Sequence, residues 1–389
     1  MKTSDRIANV PPYLFAEIDK KKNELIKKGV NIIDLGIGDP DKPTPKRILD
    51  KFHKAVDDPR THNYPPYEGI ESFRIAVAEW YKKRFNVVLD PDKEVVSLIG
   101  SKEGIAHIFF AFIDPGNYAL IPDPGYPVYK IGTLFAGGVP YSMPLLEKNG
   151  FLPDLDLIDK DAVKRSKILF INYPNNPTAA VAGKDFLEKA VKFCAKNNIL
   201  LCSDLAYSEV AFDGYRPMSV LEIPGAKDIA IEFHSLSKTY NMTGWRLGMA
   251  VGSAAAIKGL SIIKTNIDSG VFKAIQLAGI EAMSGDQREI DEMNKIYEER
   301  RNILIDGLNS LGWRLNYTKA TFYVWAPVPK GYTSASFVSH LLEKTGILVV
   351  PGSGYGKYGE GYFRASITID KEKIKEAISR MSKESISFK

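Results

Sequence analysis

At 389 residues the chain exceeds one ordinary hydrophobic core, and its balance of 44% hydrophobic to 25% charged residues sets aside disordered, collagen-like and membrane-embedded classes. The net charge of +5 is a thin excess of 52 basic over 47 acidic residues, which argues against a dedicated nucleic-acid surface. Cys194 and Cys202 read as reduced core thiols, and five scattered histidines lack the short spacings of zinc sites.

Taken in chain order, Pro11-Pro12 opens an arm, and Leu14, Ile18 and Leu25 recur at helical spacing up to a stop at Gly29. A short strand is predicted at 32–35, followed by Gly36-Ile37-Gly38-Asp39-Pro40, a run of turn-formers expected to line a site. Between about residue 45 and residue 275, β-rich runs at 95–99, 118–121, 168–172, 199–203, 229–234 and 248–252 alternate with amphipathic helical segments. That alternation predicts an α/β fold, a mainly parallel sheet covered by helices on both faces. Beyond Ala282 the texture changes to one long charged helix, residues 287–311, then short strands and two terminal helices, which predicts a smaller α+β domain. The expected division is 1–44 as arm and part of the small domain, 45–282 as the large domain and 283–389 as the small domain. No run approaches the roughly 18 apolar residues of a membrane span, and Met1 to Asn9 carries no apolar signal core, so a cytoplasmic location and no protein-bound metal are expected.

The chemistry concentrates in Ser235-Leu236-Ser237-Lys238-Thr239, followed by Thr243-Gly244-Trp245-Arg246-Leu247-Gly248, just after an apolar strand. Alone, Lys238 would read as a surface lysine. A desolvated lysine beside a second cation instead has a lowered amine pKa and becomes a nucleophile toward carbonyls. Asp204 ends the apolar run that leads into Leu205-Ala206-Tyr207, at the carboxyl end of a strand, where open α/β sheets gather ligands. Gly100-Ser101-Lys102-Glu103-Gly104 follows another strand and opens a helix, so its backbone N–H groups suit an anion. Arg364 stands in the apolar run Tyr362-Phe363-Arg364-Ala365-Ser366, and a guanidinium is the side chain that grips a carboxylate bidentately.

Over nearly its whole length the chain resembles the class I and II aminotransferases, the pyridoxal-phosphate enzymes of fold type I. The resemblance implies that Lys238 carries the cofactor's aldehyde covalently and then shuttles the substrate's α-proton. It makes Asp204 the carboxylate that keeps the cofactor ring nitrogen protonated, with Tyr207 and Asn176, from Asn172-Tyr173-Pro174-Asn175-Asn176-Pro177-Thr178, at the phenolic oxygen. Ser101, Lys102, Ser235 and Arg246 match the phosphate ligands, and Tyr126, in Pro124-Gly125-Tyr126-Pro127, matches the aromatic that stacks on the ring. Arg364, the Gly38 N–H and Asn176 are implied to bind substrate. Tyr64, in Asn63-Tyr64-Pro65-Pro66-Tyr67-Glu68-Gly69, matches a tyrosine that reaches the phosphate of a neighbouring subunit, which implies a homodimer with shared sites. Ala179 departs from the pattern, since most relatives carry glycine there.

The segment from Arg6 to Phe15, the Asn175 to Ala180 string and Ser237 to Trp245 are most similar to the bacterial LL-diaminopimelate subgroup of lysine biosynthesis. That resemblance implies amino transfer between LL-diaminopimelate and 2-oxoglutarate. Glu68, Tyr13 and Tyr67 are then candidates for the distal end of the substrate. An aspartate, alanine or aromatic aminotransferase, a β-lyase of the same fold, and a non-catalytic cofactor-binding regulator stay open as alternatives.

Overall fold

The computed structural model describes residues 1–8, 10 and 15–388, apart from the side chains of residues 5 and 15–18. Pro11-Pro12, Tyr13 and Leu14 lie outside the described residues. The first long helix, Phe15–Lys27, is followed by Gly29 at a φ of +81°, a left-handed conformation in which glycine ends a helix without strain.

The strands are β1 (Ile33–Asp34), β2 (Val95–Leu98), β3 (Tyr118–Asp123), β4 (Val139–Pro144), β5 (Ser166–Ile171), β6 (Leu200–Asp204), β7 (Ala230–Ser235), β8 (Gly248–Gly252), β9 (Tyr323–Pro327), β10 (Ile347–Leu348), β11 (Val350–Pro351) and β12 (Tyr362–Ser366). Seven of them form one sheet in the order β2-β8-β7-β6-β5-β3-β4, in which β8 runs antiparallel to both of its neighbours and the remaining pairs are parallel. The predicted α/β sheet is therefore present, with one reversed strand. β4 was not foreseen, because this edge strand is only partly buried and its sequence, Val-Pro-Tyr-Ser-Met-Pro, lacks an apolar run.

Period-two alternation assigns the strand residues to two cores. Leu169 and Leu201 face one apolar cluster with Phe73, Trp80 and Tyr81, while Phe170 and Cys202 face the other with Phe109 and Phe233. Helices thus cover both faces, as the continuous apolar runs require. Both cysteines are free and buried. On β7 the buried Glu232 accepts hydrogen bonds from Tyr81, Ser203, Ser219 and the Val220 N–H. Burial pushes its carboxyl up to about 7 while the surrounding donors pull the other way, and the network clamps β6 to β7.

A further cluster, with Tyr297, Trp313, Phe322 and Phe363, also takes in Ile33 and Leu35 from the N-terminal segment and Tyr207, Val210 and Phe212 from the loop after β6. β1 pairs in parallel with β10, and β12 lies between β11 and β9. The long helix spans Arg288–Ser310, and its Arg300, 2% exposed, forks onto both oxygens of Asp41 at 2.8 and 2.9 Å. Among the described residues no helix is long and apolar enough to cross a membrane.

Candidate active site

Asp204 terminates β6 and is 5% exposed. Burial raises its carboxyl to about 6, against a hydrogen bond donated at 2.7 Å by the Tyr129 hydroxyl to Oδ2. The other oxygen, Oδ1, is buried with no hydrogen-bond partner. A carboxylate oxygen left in that state is costly, so it marks a place built for a donor from outside the chain. Asn172 ties this strand end to the next loop. Its Nδ2 donates to the Asp204 carbonyl at 2.7 Å, and its Oδ1 accepts from the Asn176 N–H at 2.8 Å.

Lys238 sits on the one-turn helix Leu236–Thr239, which Ser235 caps by accepting from the Ser237 N–H. Its Nζ donates to the Gly38 carbonyl at 3.0 Å and lies 5.7 Å from the Phe322 ring. Burial lowers the amine to about 8; Asp39 opposes this, and the nearby Arg364 and Arg246 guanidinium groups reinforce it. This is the desolvated amine beside other cations that the sequence implied. Gly38 thus belongs to the site, and the atom it presents to Lys238 is its carbonyl.

Arg364, 5% exposed, donates from Nη1 to Asn176 Oδ1 at 2.8 Å and from Nη2 to the Gly36 carbonyl at 2.7 Å, leaving Nε without a partner. Its guanidinium lies 4.0 Å over the Tyr323 ring and 5.1 Å from Tyr355. The Tyr323 hydroxyl is 3.1 Å from that of Tyr207. Lys238, Arg364, Asn176, Tyr207 and Gly38 therefore form one connected group with the N-terminal loop. Ala179 follows at a φ of +59°, a conformation that favours glycine.

The anion cradle forms where β2, β8 and β7 lie side by side, with Leu98 and Ser235 both opposite Gly248. Gly248 has to be glycine: a Cβ there would stand 2.7 Å from the His234 carbonyl and 2.9 Å from the Ser101 nitrogen. A Cβ on Gly100, whose φ is +75°, would run into the Arg246 guanidinium. Ser101 and Lys102 begin the helix Ser101–Phe112, and Arg246 bonds the Thr243 carbonyl at 2.9 Å across its mouth. Lys102 lies 6.0 Å over the ring of Tyr126, which meets Tyr129 edge-on at 6.0 Å. The helix N-terminus, a hydroxyl and a guanidinium together suit a phosphate.

Tyr64 is 84% exposed, and among the described residues no hydrogen bond or ring contact joins it to the others within this chain. Tyr67 and Glu68 are exposed on the same segment. Tyr129, Asn172, Tyr323 and Phe322 are site residues that sequence reasoning missed. Tyr129 and Phe322 lie on apolar stretches where an aromatic reads as core, and only Asn172 stood inside a quoted motif. Glu103, His107 and Asp268 also bring potential metal-ligand atoms within 4.8 Å of one another, but the Lys264 ammonium, 3.0 Å from both Glu103 and Asp268, already supplies the counter-charge.

The profile of the family described as aminotransferase class I and II matches residues 30–381. The chain is 58% identical over 389 residues to LL-diaminopimelate aminotransferase 2 of Nostoc sp., covering 100% of each. It is 55% identical, again over 100% of each, to LL-diaminopimelate aminotransferase of Halothermothrix orenii. Among solved structures, substrate-bound BacF from Bacillus subtilis superposes with a TM-score of 0.96 at 36% identity, covering 100% of this chain and 99% of that one.

Proposed function

The chain belongs to the class I and II aminotransferases, and on that premise we propose that it moves an amino group between LL-diaminopimelate and 2-oxoglutarate, with pyridoxal phosphate as cofactor and as a cytoplasmic homodimer. The observation that carries the cofactor reading is the buried, unshared Oδ1 of Asp204, which asks for a cationic donor such as a protonated pyridine. The amine of Lys238 and the cradle around Gly100 and Gly248 supply the other two attachments the cofactor needs. The substrate reading rests on full-length identity to relatives that bear that name.

Ser101, Lys102, Ser235 and Arg246 would hold the phosphate, Tyr126 would cover the ring, and Tyr207 with Asn176 would meet its phenolic oxygen. Tyr64 would extend to the phosphate of a second copy, where its exposure in the single chain is lost. When bound, the cofactor supplies an aldehyde for amine capture and a protonated ring that withdraws electrons from the substrate α-carbon. The chain's own work is positional and acid–base. Arg364 holds the α-carboxylate, with the Gly38 N–H as a second contact, so that the α-C–H faces Lys238. The Lys238 amine, lowered to about 8, is neutral often enough near neutral pH to take that proton and return it. Asp204 stays ionised opposite a cation and keeps the ring protonated through the cycle. The same site then runs in reverse with the oxo acid, which makes the kinetics ping-pong.

Purified protein mixed with LL-diaminopimelate and 2-oxoglutarate is expected to release glutamate faster than with aspartate, alanine or phenylalanine as donor. No glutamate from diaminopimelate, alongside brisk turnover of another donor, would remove the substrate assignment and leave the family intact.

A further inference from the structure

Tyr323 opens β9 and is 3% exposed, yet nothing in the mechanism above uses it. Three of its contacts go to three different functional groups. The ring lies 4.0 Å beneath the Arg364 guanidinium, the hydroxyl is 3.1 Å from the Tyr207 hydroxyl, and a Cβ on Gly38 would collide with both the hydroxyl and the ring edge. Its backbone is set by pairing with Ser366 across β12, two residues from Arg364, and by the Thr321 hydroxyl, which accepts its N–H at 3.1 Å.

Resting on the reading of Tyr207 and Arg364 given above, we propose that Tyr323 is a positioning residue that links the carboxylate-binding arginine to the phenol beside the cofactor. The ring fixes the plane of Arg364. With Nη1 and Nη2 tied to Asn176 and Gly36, the aromatic face is what stops the guanidinium tilting about those two bonds, and it does so without competing for a donor. The hydroxyl fixes the direction of Tyr207. A phenol has one proton, so when Tyr207 donates to a cofactor oxygen its bond to Tyr323 must be donated by Tyr323. A donor in that position makes Tyr207 the stronger donor in turn, since chained hydrogen bonds polarise one another. Tyr323 also walls the loop at Gly38, whose carbonyl receives Lys238, so one side chain touches the supports of all three reacting ends.

The two legs of the argument separate by substitution. Tyr323→Phe keeps the ring and removes the donor. In enzyme loaded with pyridoxal phosphate, the pH midpoint of the visible absorbance band should rise by about half a unit, while KM for amino acid and oxo acid stays within about twofold. In a Tyr207→Phe background the same substitution should move the midpoint no further, because the effect passes through the Tyr207 hydroxyl. Tyr323→Leu removes the ring as well and should raise KM for both substrates about tenfold, with Tyr323→Met substituting should leucine not fold. An unmoved midpoint in Tyr323→Phe, or an equal shift in both backgrounds, overturns the hydroxyl leg. An unchanged KM in the ring-less variant overturns the other. Absence of any visible band in the wild-type protein would instead strike the underlying cofactor reading.

Discussion

Replacing Asp204 by asparagine tests the site through stability as well as turnover. Burial raises this carboxyl from 3.8 to about 6, so above that pH the cofactor-free fold holds a charge that its surroundings disfavour. At about 1.4 kcal/mol per unit, the shift of roughly two units corresponds to about 3 kcal/mol of lost stability. Asparagine removes the charge but points an amide N–H where Oδ1 had no partner, which returns about 1 kcal/mol, so a net gain of about 2 kcal/mol is expected. With an unfolding entropy of roughly 2 cal/mol/K per residue, a chain of 389 residues should then melt about 2–3 °C higher. The sign with pH follows from a raised acid pKa. Wild-type stability from this group is fully present below about 3.8 and is lost as pH rises from there to about 6, so the variant's advantage is full at pH 8 and has shrunk to well under half at pH 5. Calorimetry of cofactor-free protein at both pH values measures it, and added pyridoxal phosphate should narrow or reverse the difference by stabilising wild type more than the variant. Equal melting at pH 8, or a wild type that melts higher there without cofactor, would refute the reasoning.

Other substitutions reach the same chemistry from different sides. Lys238→Ala should abolish both turnover and the visible absorbance of the loaded protein, and borohydride reduction with peptide mapping should label residue 238 in wild type only; retained activity contradicts the assignment. The rate at which cofactor-free protein captures pyridoxal phosphate should climb with pH to a midpoint near 8, where the Lys238 amine loses its proton, and a midpoint above 10 would contradict the desolvated amine. Arg364→Lys keeps the charge but loses the fork, so kcat/KM should fall about 100-fold, corresponding to roughly 3 kcal/mol, and a loss under threefold would mean that carboxylate binding lies elsewhere.

Sequence made the mainly parallel sheet legible because its strands are buried on both faces and therefore read as apolar runs, as at 168–171 and 200–203. It hid β4, a partly buried edge with a proline in its second position, and it hid the reversal of β8, because strand direction depends on the path of the connection and leaves no mark in a five-residue apolar run. Within the site, Lys238, Asp204 and Arg364 were legible through the motifs around them and their likeness to a known family, since Lys238 alone reads as an ordinary surface lysine. Tyr129 and Tyr323 were not, since a buried tyrosine satisfies core packing by itself and only coordinates reveal where the hydroxyl goes. Gly38 shows the same limit at finer scale. Its loop was recognisable and its N–H was read as a contact for the substrate carboxylate, but that its carbonyl also receives Lys238 is a matter of peptide orientation that no residue name encodes.

The segment around residues 33–41 also imposes an order on biosynthesis. Ile33 pairs with Ile347, Asp41 with Arg300, the Ile37 carbonyl with Thr368 and the Gly36 carbonyl with Arg364, all of them far downstream. At roughly 5–20 residues per second, a ribosome adds those partners tens of seconds after the early segment has been made, so Ile33 and Leu35 are synthesised well before the residues that cover them. The candidate site is therefore completed only once Arg364 has been added, and a shorter nascent chain holds the lysine and its aspartate without the arginine that joins them.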